Sequence, residues 1–141
     1  MNRFTDTFTK LRAENKKALA AFFTAGNPDA ETSRQLVLNA LDSGADIIEL
    51  GVPFSDPSAD GVAIQAASQR ALAKGMTLEG VLHIAREIRK KNDKSPLVVF
   101  SYFNPLFQYG LEKLARDAKE IGIDAFLVVD QIGRASCRER V

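Results

Sequence analysis

The sequence predicts an α/β fold built on a parallel sheet, and three observations carry that prediction. Short apolar runs of strand length alternate along the chain with longer segments whose apolar residues recur at helical spacing. The short runs are continuously apolar, as expected of strands covered on both faces. Glycines at 44, 75 and 122 fall where three helical segments run out, which suits helix C-termini. Strands that alternate with helices pair in parallel, because each return to the same end of the sheet needs a crossover.

Taken in order, Phe4, Phe8 and Leu11 mark a short amphipathic helix. Residues 18–26 (ALAAFFTAG) form the first strand pattern, and Pro28 suits the first position of the helix that follows. Leu36, Val37, Ala40 and Leu41 give that helix its stripe. Residues 46–52 are the second strand and 62–74 a helix. Leu78, Val81, Leu82, Ala85 and Ile88 mark another helix, and 96–102 the third strand. Leu111, Leu114, Ala115, Ala118 and Ile121 mark a last helix before the fourth strand at 124–130. Periodicity leaves two architectures open, a doubly wound sheet or part of a (βα)8 barrel. No G-x-G-x-x-G follows any strand, which weakens the dinucleotide-binding version.

Composition excludes several classes. With 45% hydrophobic and 26% charged residues the chain is ordinary globular protein, neither disordered nor a disulfide scaffold. A formal charge of +1 gives no electrostatic case for nucleic acid or an anionic membrane. No apolar run approaches the ~18 residues of a membrane helix, and the polar start is no secretory signal, so a cytoplasmic location is expected. The stretch 131–141 stands apart. It contains Arg134, Arg138, Arg140 and the only cysteine, Cys137, and no helix cap or apolar period follows the run FLVV. It resembles the in-frame translation of a sequencing-adapter oligonucleotide, and a natural basic tail is the alternative. The expectation is therefore a domain over 1–130 and a non-native tail over 131–141, with Cys137 neither nucleophile nor ligand. No metal-ligand spacing stands elsewhere in the sequence.

The loop ELGVPFSDPSADG (49–61) concentrates the chemistry. It leaves the C-terminal end of the second strand, where ligands bind in parallel α/β folds. Glu49 is an acid inside an apolar strand, which is costly unless paired or functional. Alternation places Ile47, Glu49 and Gly51 on one face and Ile48 and Leu50 on the other. Desolvation at an inward-facing Glu49 would favour its protonated form, which suits general acid–base work, while a second carboxylate in the loop stays ionised. The alternatives are an ion pair for Glu49, a helix cap for Asp60 and a turn for Asp56 before Pro57.

The segment GADIIELGVPFSDPSADG (44–61) closely resembles the signature of the tryptophan synthase alpha subunit family. AFFTAGNPD (21–29), IQAASQRAL (64–72) and SYFNPLFQYG (101–110) agree with it. The resemblance runs from about Phe4 to Asp130. Ser58 departs from it, since a larger apolar residue is common there, and the pattern is lost after Asp130.

The resemblance implies a TIM (βα)8 barrel with an added N-terminal helix, of which this chain carries the first half, about four parallel strands. It implies retro-aldol cleavage of indole-3-glycerol phosphate to indole and glyceraldehyde 3-phosphate in L-tryptophan biosynthesis. Glu49 matches the general acid–base, and Asp60 matches the acceptor of the indole N–H. Phe22, Phe100, Tyr102, Leu127 and Val129 match the indole pocket, with barrel core as their alternative. Pro53, Asp56, Asn104 and Phe107 match the contact with the beta subunit of an alpha2-beta2 heterotetramer. Pyridoxal phosphate belongs to that beta subunit, so no cofactor and no metal are expected here. His83 lies off its helix stripe and reads as solvated, and no lysine lies in a strand for Schiff-base chemistry. A different sugar-phosphate barrel enzyme, or a protein that only activates a beta subunit, are the competing functions. Four strands without their closing half leave open edges, so the 141 residues alone are expected to be aggregation-prone or loosely folded and to lack lyase activity.

Overall fold

The structure, a computed structural model, describes residues 3–131. Ten elements follow one another: α1 (Arg3–Ala13), β1 (Ala20–Thr24), α2 (Ala30–Asp42), β2 (Ile47–Gly51), α3 (Val62–Ala73), α4 (Leu78–Arg89), β3 (Leu97–Ser101), α5 (Phe103–Tyr109), α6 (Leu111–Ile121) and β4 (Ala125–Val128). The strands form one parallel sheet in the order β1-β2-β3-β4. The proposed tail, except Gln131, lies outside the described residues.

Register separates the two faces. Ala21, Ile48 and Leu97 share one row, and Phe23, Leu50, Val99 and Phe126 the next row on the same face. This face carries the core. Ile48, Leu50 and Val99 are fully buried and pack with Val37 of α2, Val81 and Ile88 of α4, and Leu114 and Ile121 of α6. Burial of each such side chain contributes about 1.5–3 kcal/mol before chain entropy is charged against it. The opposite face carries the rows Phe22–Glu49–Val98–Ala125 and Thr24–Gly51–Phe100–Leu127. The main core cluster, with the helices α2, α4 and α6 that supply it, lies on the first face; on the opposite face Ile47 and Val98 are buried while Phe22, Glu49 and Phe100 are half-buried, so coverage there is partial among the described residues. A barrel interior explains both the apolar runs and the partial cover of this face, because there the second cover is the opposing strands.

Local chemistry fixes most helix ends. Asp29, and not Pro28, begins α2: its carboxylate accepts the Thr32 N–H and the Thr32 hydroxyl, both at 2.8 Å. Pro28 therefore stands before the cap instead of at the first helical position. Thr77 caps α4 by accepting the Gly80 N–H at 3.2 Å. The sequence pattern misses α5, because Asn104 and Pro105 read as loop. Pro105 is the third residue of that helix, within the first turn where a missing N–H breaks no helical bond. Gly110 (φ 92°) then turns the chain from α5 directly into α6.

The lower end of the sheet, where β3 and β4 begin, is held by one carboxylate. Asp124 accepts from Arg3 Nη1 at 2.8 Å, Arg89 Nη2 at 3.0 Å and the Leu97 N–H at 2.9 Å. Through these bonds α1, α4, β3 and β4 meet at one point. Burial pulls the Arg89 guanidinium below its ordinary pKa, and the neighbouring Arg3 charge adds to that.

Candidate functional site

The upper end is built from the C-terminal ends of the strands and the segment between β2 and α3. Phe22 reaches across from β1, and a Cβ on Gly51 would overlap its ring. A glycine inside a strand marks a close approach of this kind. Phe22 meets Phe100 of β3 edge to face, with ring centroids 5.3 Å apart at 78°. Tyr102, at the end of β3, is buried. Its ring lies 5.0 Å from that of Phe54 at 32°, and its hydroxyl accepts the Ala59 N–H at 2.8 Å. Next along the chain stands Asp60, whose carbonyl accepts from Gln65 Nε2 at 2.8 Å.

These residues close round a small cleft of about 10 Å³, lined by Phe22, Phe100, Tyr102 and Asp60 together with Thr24 and Ser68. Asp60 is half-buried there, and the cap of α3 is Gly61 with no side-chain bond. Helix capping therefore does not occupy the Asp60 carboxylate. Glu49 is half-buried on the open face, in register between Phe22 and Val98 and two residues before Gly51. It does not line the cleft itself. Among the described residues its carboxylate makes neither a hydrogen bond nor an ion pair, so the ion-pair alternative finds no partner. This end presents an aromatic wall, Phe22 packed edge to face on Phe100, together with two carboxylates that no bond among the described residues engages.

The other expected residues scatter more widely. Leu127 shares the row of Phe100 but is 41% exposed on the edge strand. Val129 lies just beyond β4, its N–H donating to the Ser101 carbonyl at 3.0 Å. Asp56 sits exposed in a bend, where Ser55 donates to its carboxylate. Asn104 and Phe107 are exposed on α5, and Phe107 stacks on Phe103 at 5.7 Å. Pro53, by contrast, is buried. Sequence reasoning missed Thr24, Phe54 and Ser68; only Gly51 carried a signal, as a glycine at a strand end. His83 is exposed. No group of three metal-ligating side chains occurs among the described residues, and no described helix is long and apolar enough to cross a membrane.

Comparison with known proteins decides the family. The family model described as tryptophan synthase alpha chain matches residues 8–135. The tryptophan synthase alpha chain of Desulfosudis oleivorans is 52% identical over 130 residues, covering 92% of this chain and 49% of the relative.

The chain belongs to the tryptophan synthase alpha chain family.

A second such chain, from Citrifermentans bemidjiense, is 51% identical over 92% of this chain and 48% of its own length. The crystal structure of tryptophan synthase subunit alpha from Legionella pneumophila superposes with a TM-score of 0.89 at 43% identity, covering 92% of this chain and 50% of that one. An M. tuberculosis tryptophan synthase structure gives 0.89 at 32% identity, covering 99% and 56%. The four-stranded sheet thus matches half of a tryptophan synthase alpha barrel. The chain spans about half the length of the curated relatives it matches.

Proposed function

We propose that this chain supplies the catalytic half of an indole-3-glycerol phosphate lyase, the alpha subunit activity in tryptophan biosynthesis. The observation that carries the reading is the pair of unengaged carboxylates, Glu49 and Asp60, at the end of the sheet where Phe22 and Phe100 form an aromatic wall.

Cleavage of the bond between indole C3 and the glycerol chain needs a leaving carbon that accepts an electron pair. Glu49, in its acid form, protonates C3, and the ring becomes a cationic indolenine. Asp60 accepts the ring N–H, and its negative charge stabilises that cation in a site of low dielectric. Glu49, now a carboxylate, assists removal of the glycerol hydroxyl proton. The carbonyl of glyceraldehyde 3-phosphate forms, the C–C bond breaks, and its electrons restore neutral indole. No cofactor takes part. Phe22, Phe100, Tyr102, Leu127 and Val129 contribute apolar surface for the indole ring, and phosphate is held by loops after strands seven and eight of such barrels.

Asp56, Asn104 and Phe107 stand exposed at the same end, and with the buried Pro53 they form the contact for a beta subunit. Pyridoxal phosphate resides in that partner. The cytoplasm is the expected compartment. Residues 131–141 remain proposed as a non-native tail.

The test joins residues 1–130 to the C-terminal half of the Desulfosudis oleivorans relative. This hybrid barrel is expected to release indole from indole-3-glycerol phosphate. Failure of a folded hybrid to do so rejects the reading.

A further inference from the structure

Within the lyase reading, the geometry points to Tyr102 as a positioning residue that sets the place of Asp60, beyond any part it plays as pocket wall. Three observations carry this. The Tyr102 hydroxyl accepts the Ala59 N–H at 2.8 Å, across 43 residues of sequence. The Tyr102 ring packs against Phe54 near the other end of the same segment. Asp60 follows Ala59 directly, and its own carbonyl accepts from Gln65 Nε2 at 2.8 Å.

The physical consequence is specific. Residues 53–60 lie between β2 and α3 and belong to no helix or strand. Phe54 and Tyr102 hold the start of this segment, and the Ala59 bond holds its end. A peptide N–H that donates to a buried hydroxyl cannot rotate freely, so the peptide plane between Ser58 and Ala59 inherits the orientation of Tyr102, while the Gln65 bond holds the plane between Asp60 and Gly61; Asp60 stands between two fixed planes. Tyr102 itself follows β3, whose register to β2 is fixed by the sheet. The carboxylate that meets the cation is thereby referenced to the strand carrying Glu49. Small displacements of such a charge are expensive in rate, because stabilisation depends on dipoles and charges placed before the reaction.

Tyr102→Phe separates the roles, since it keeps the ring on Phe54 and removes only the acceptor. In the hybrid barrel a positioning role lowers kcat about tenfold with KM within about twofold. The Ala59 amide, followed by hydrogen exchange, loses about fivefold to tenfold of its protection. Tyr102→Leu, which also removes the ring, should lower kcat further. If Tyr102→Phe raises KM with kcat unchanged and leaves Ala59 exchange as it was, Tyr102 is pocket wall only and the proposal falls. The exchange measurement needs no turnover. An inactive hybrid whose Ala59 still loses protection rejects the lyase reading while keeping the Tyr102 bond as the anchor of this segment.

Discussion

Two strand-associated acids of this chain have opposite surroundings. At the lower end Asp124 is engaged on all sides, by two guanidiniums and a backbone N–H. At the upper end Glu49 lies in a strand of the same sheet, half-buried, and its carboxylate meets no donor among the described residues. Both positions carry the desolvation cost of an acid near an apolar strand. At Asp124 the fold repays that cost with bonds that join α1, α4, β3 and β4. At Glu49 nothing in the described fold repays it, and the lyase reading assigns the return to chemistry. An acid that the fold leaves unengaged is therefore the better functional signal, and position in a strand is not.

The sharpest way to break this contrast is Glu49→Gln. In the hybrid barrel it should lower kcat at least ~100-fold, because a positioned proton donor is lost while shape is kept. The unfolding midpoint should stay in place, since no bond among the described residues involves the carboxylate. Turnover within a few-fold of the parent would show that Glu49 is not the acid–base. Asp60→Asn should also cost about 100-fold, because an amide cannot supply the charge that the cationic ring requires. A loss of stability with full activity per folded molecule would instead return Asp60 to a structural role.

Asp124→Ala should show the reverse pattern. It leaves the Leu97 N–H without its acceptor and removes the counter-charge of Arg3 and Arg89, although Arg89 keeps the Asn92, Ser95 and Gly122 carbonyls, and urea unfolding should report a loss of about 2–3 kcal/mol. Lyase kcat per folded molecule should change little, because the residue stands at the far end of the sheet. A Glu49-like loss of turnover without loss of stability would dissolve the distinction between the two ends.

The sequence makes half of this contrast visible. Continuous apolar runs reveal all four strands, because burial dictates their composition, and the 3.6-residue stripes reveal α1, α2, α3, α4 and α6. Alternation also assigns Glu49 and Ile48 to opposite faces correctly. The pairing state of an acid is not visible in the same way. Asp124 meets Arg3 across 121 residues and Arg89 across 35, and no local pattern announces such a meeting. The Tyr102–Ala59 bond is hidden for the same reason. The short helix α5 escapes because a proline in a first turn looks like a proline in a loop. Glu49 stands out in sequence as an acid inside an apolar strand, with an ion pair as its open alternative; Asp60 stands out only through the family-specific string, because spacing alone favours a cap.

The last and smallest effect tests whether pairing, and not position, is what distinguishes these acids. Asp29 stands at the upper end of the sheet like Asp60, yet it is engaged as the cap of α2. The Thr32 backbone N–H, and next the Thr32 hydroxyl, hold its carboxyl below the usual aspartate range. A folded-state pKa below the unfolded one means that the cap stabilises fully above the ordinary aspartate pKa. That contribution is lost as the pH falls through the lowered value. Asn caps a helix as well as Asp but carries no proton in this range. Asp29→Asn should therefore leave neutral-pH stability and turnover close to the parent and remove a part of the acid-induced loss of stability. The neutral cap Thr77 of α4 supplies the control: Thr77→Ala should cost about 1 kcal/mol at every pH. Parallel stability curves for the parent and Asp29→Asn down to strong acid would show that Asp29 is not engaged as described, and the rule drawn from Asp124 and Glu49 would lose its third case.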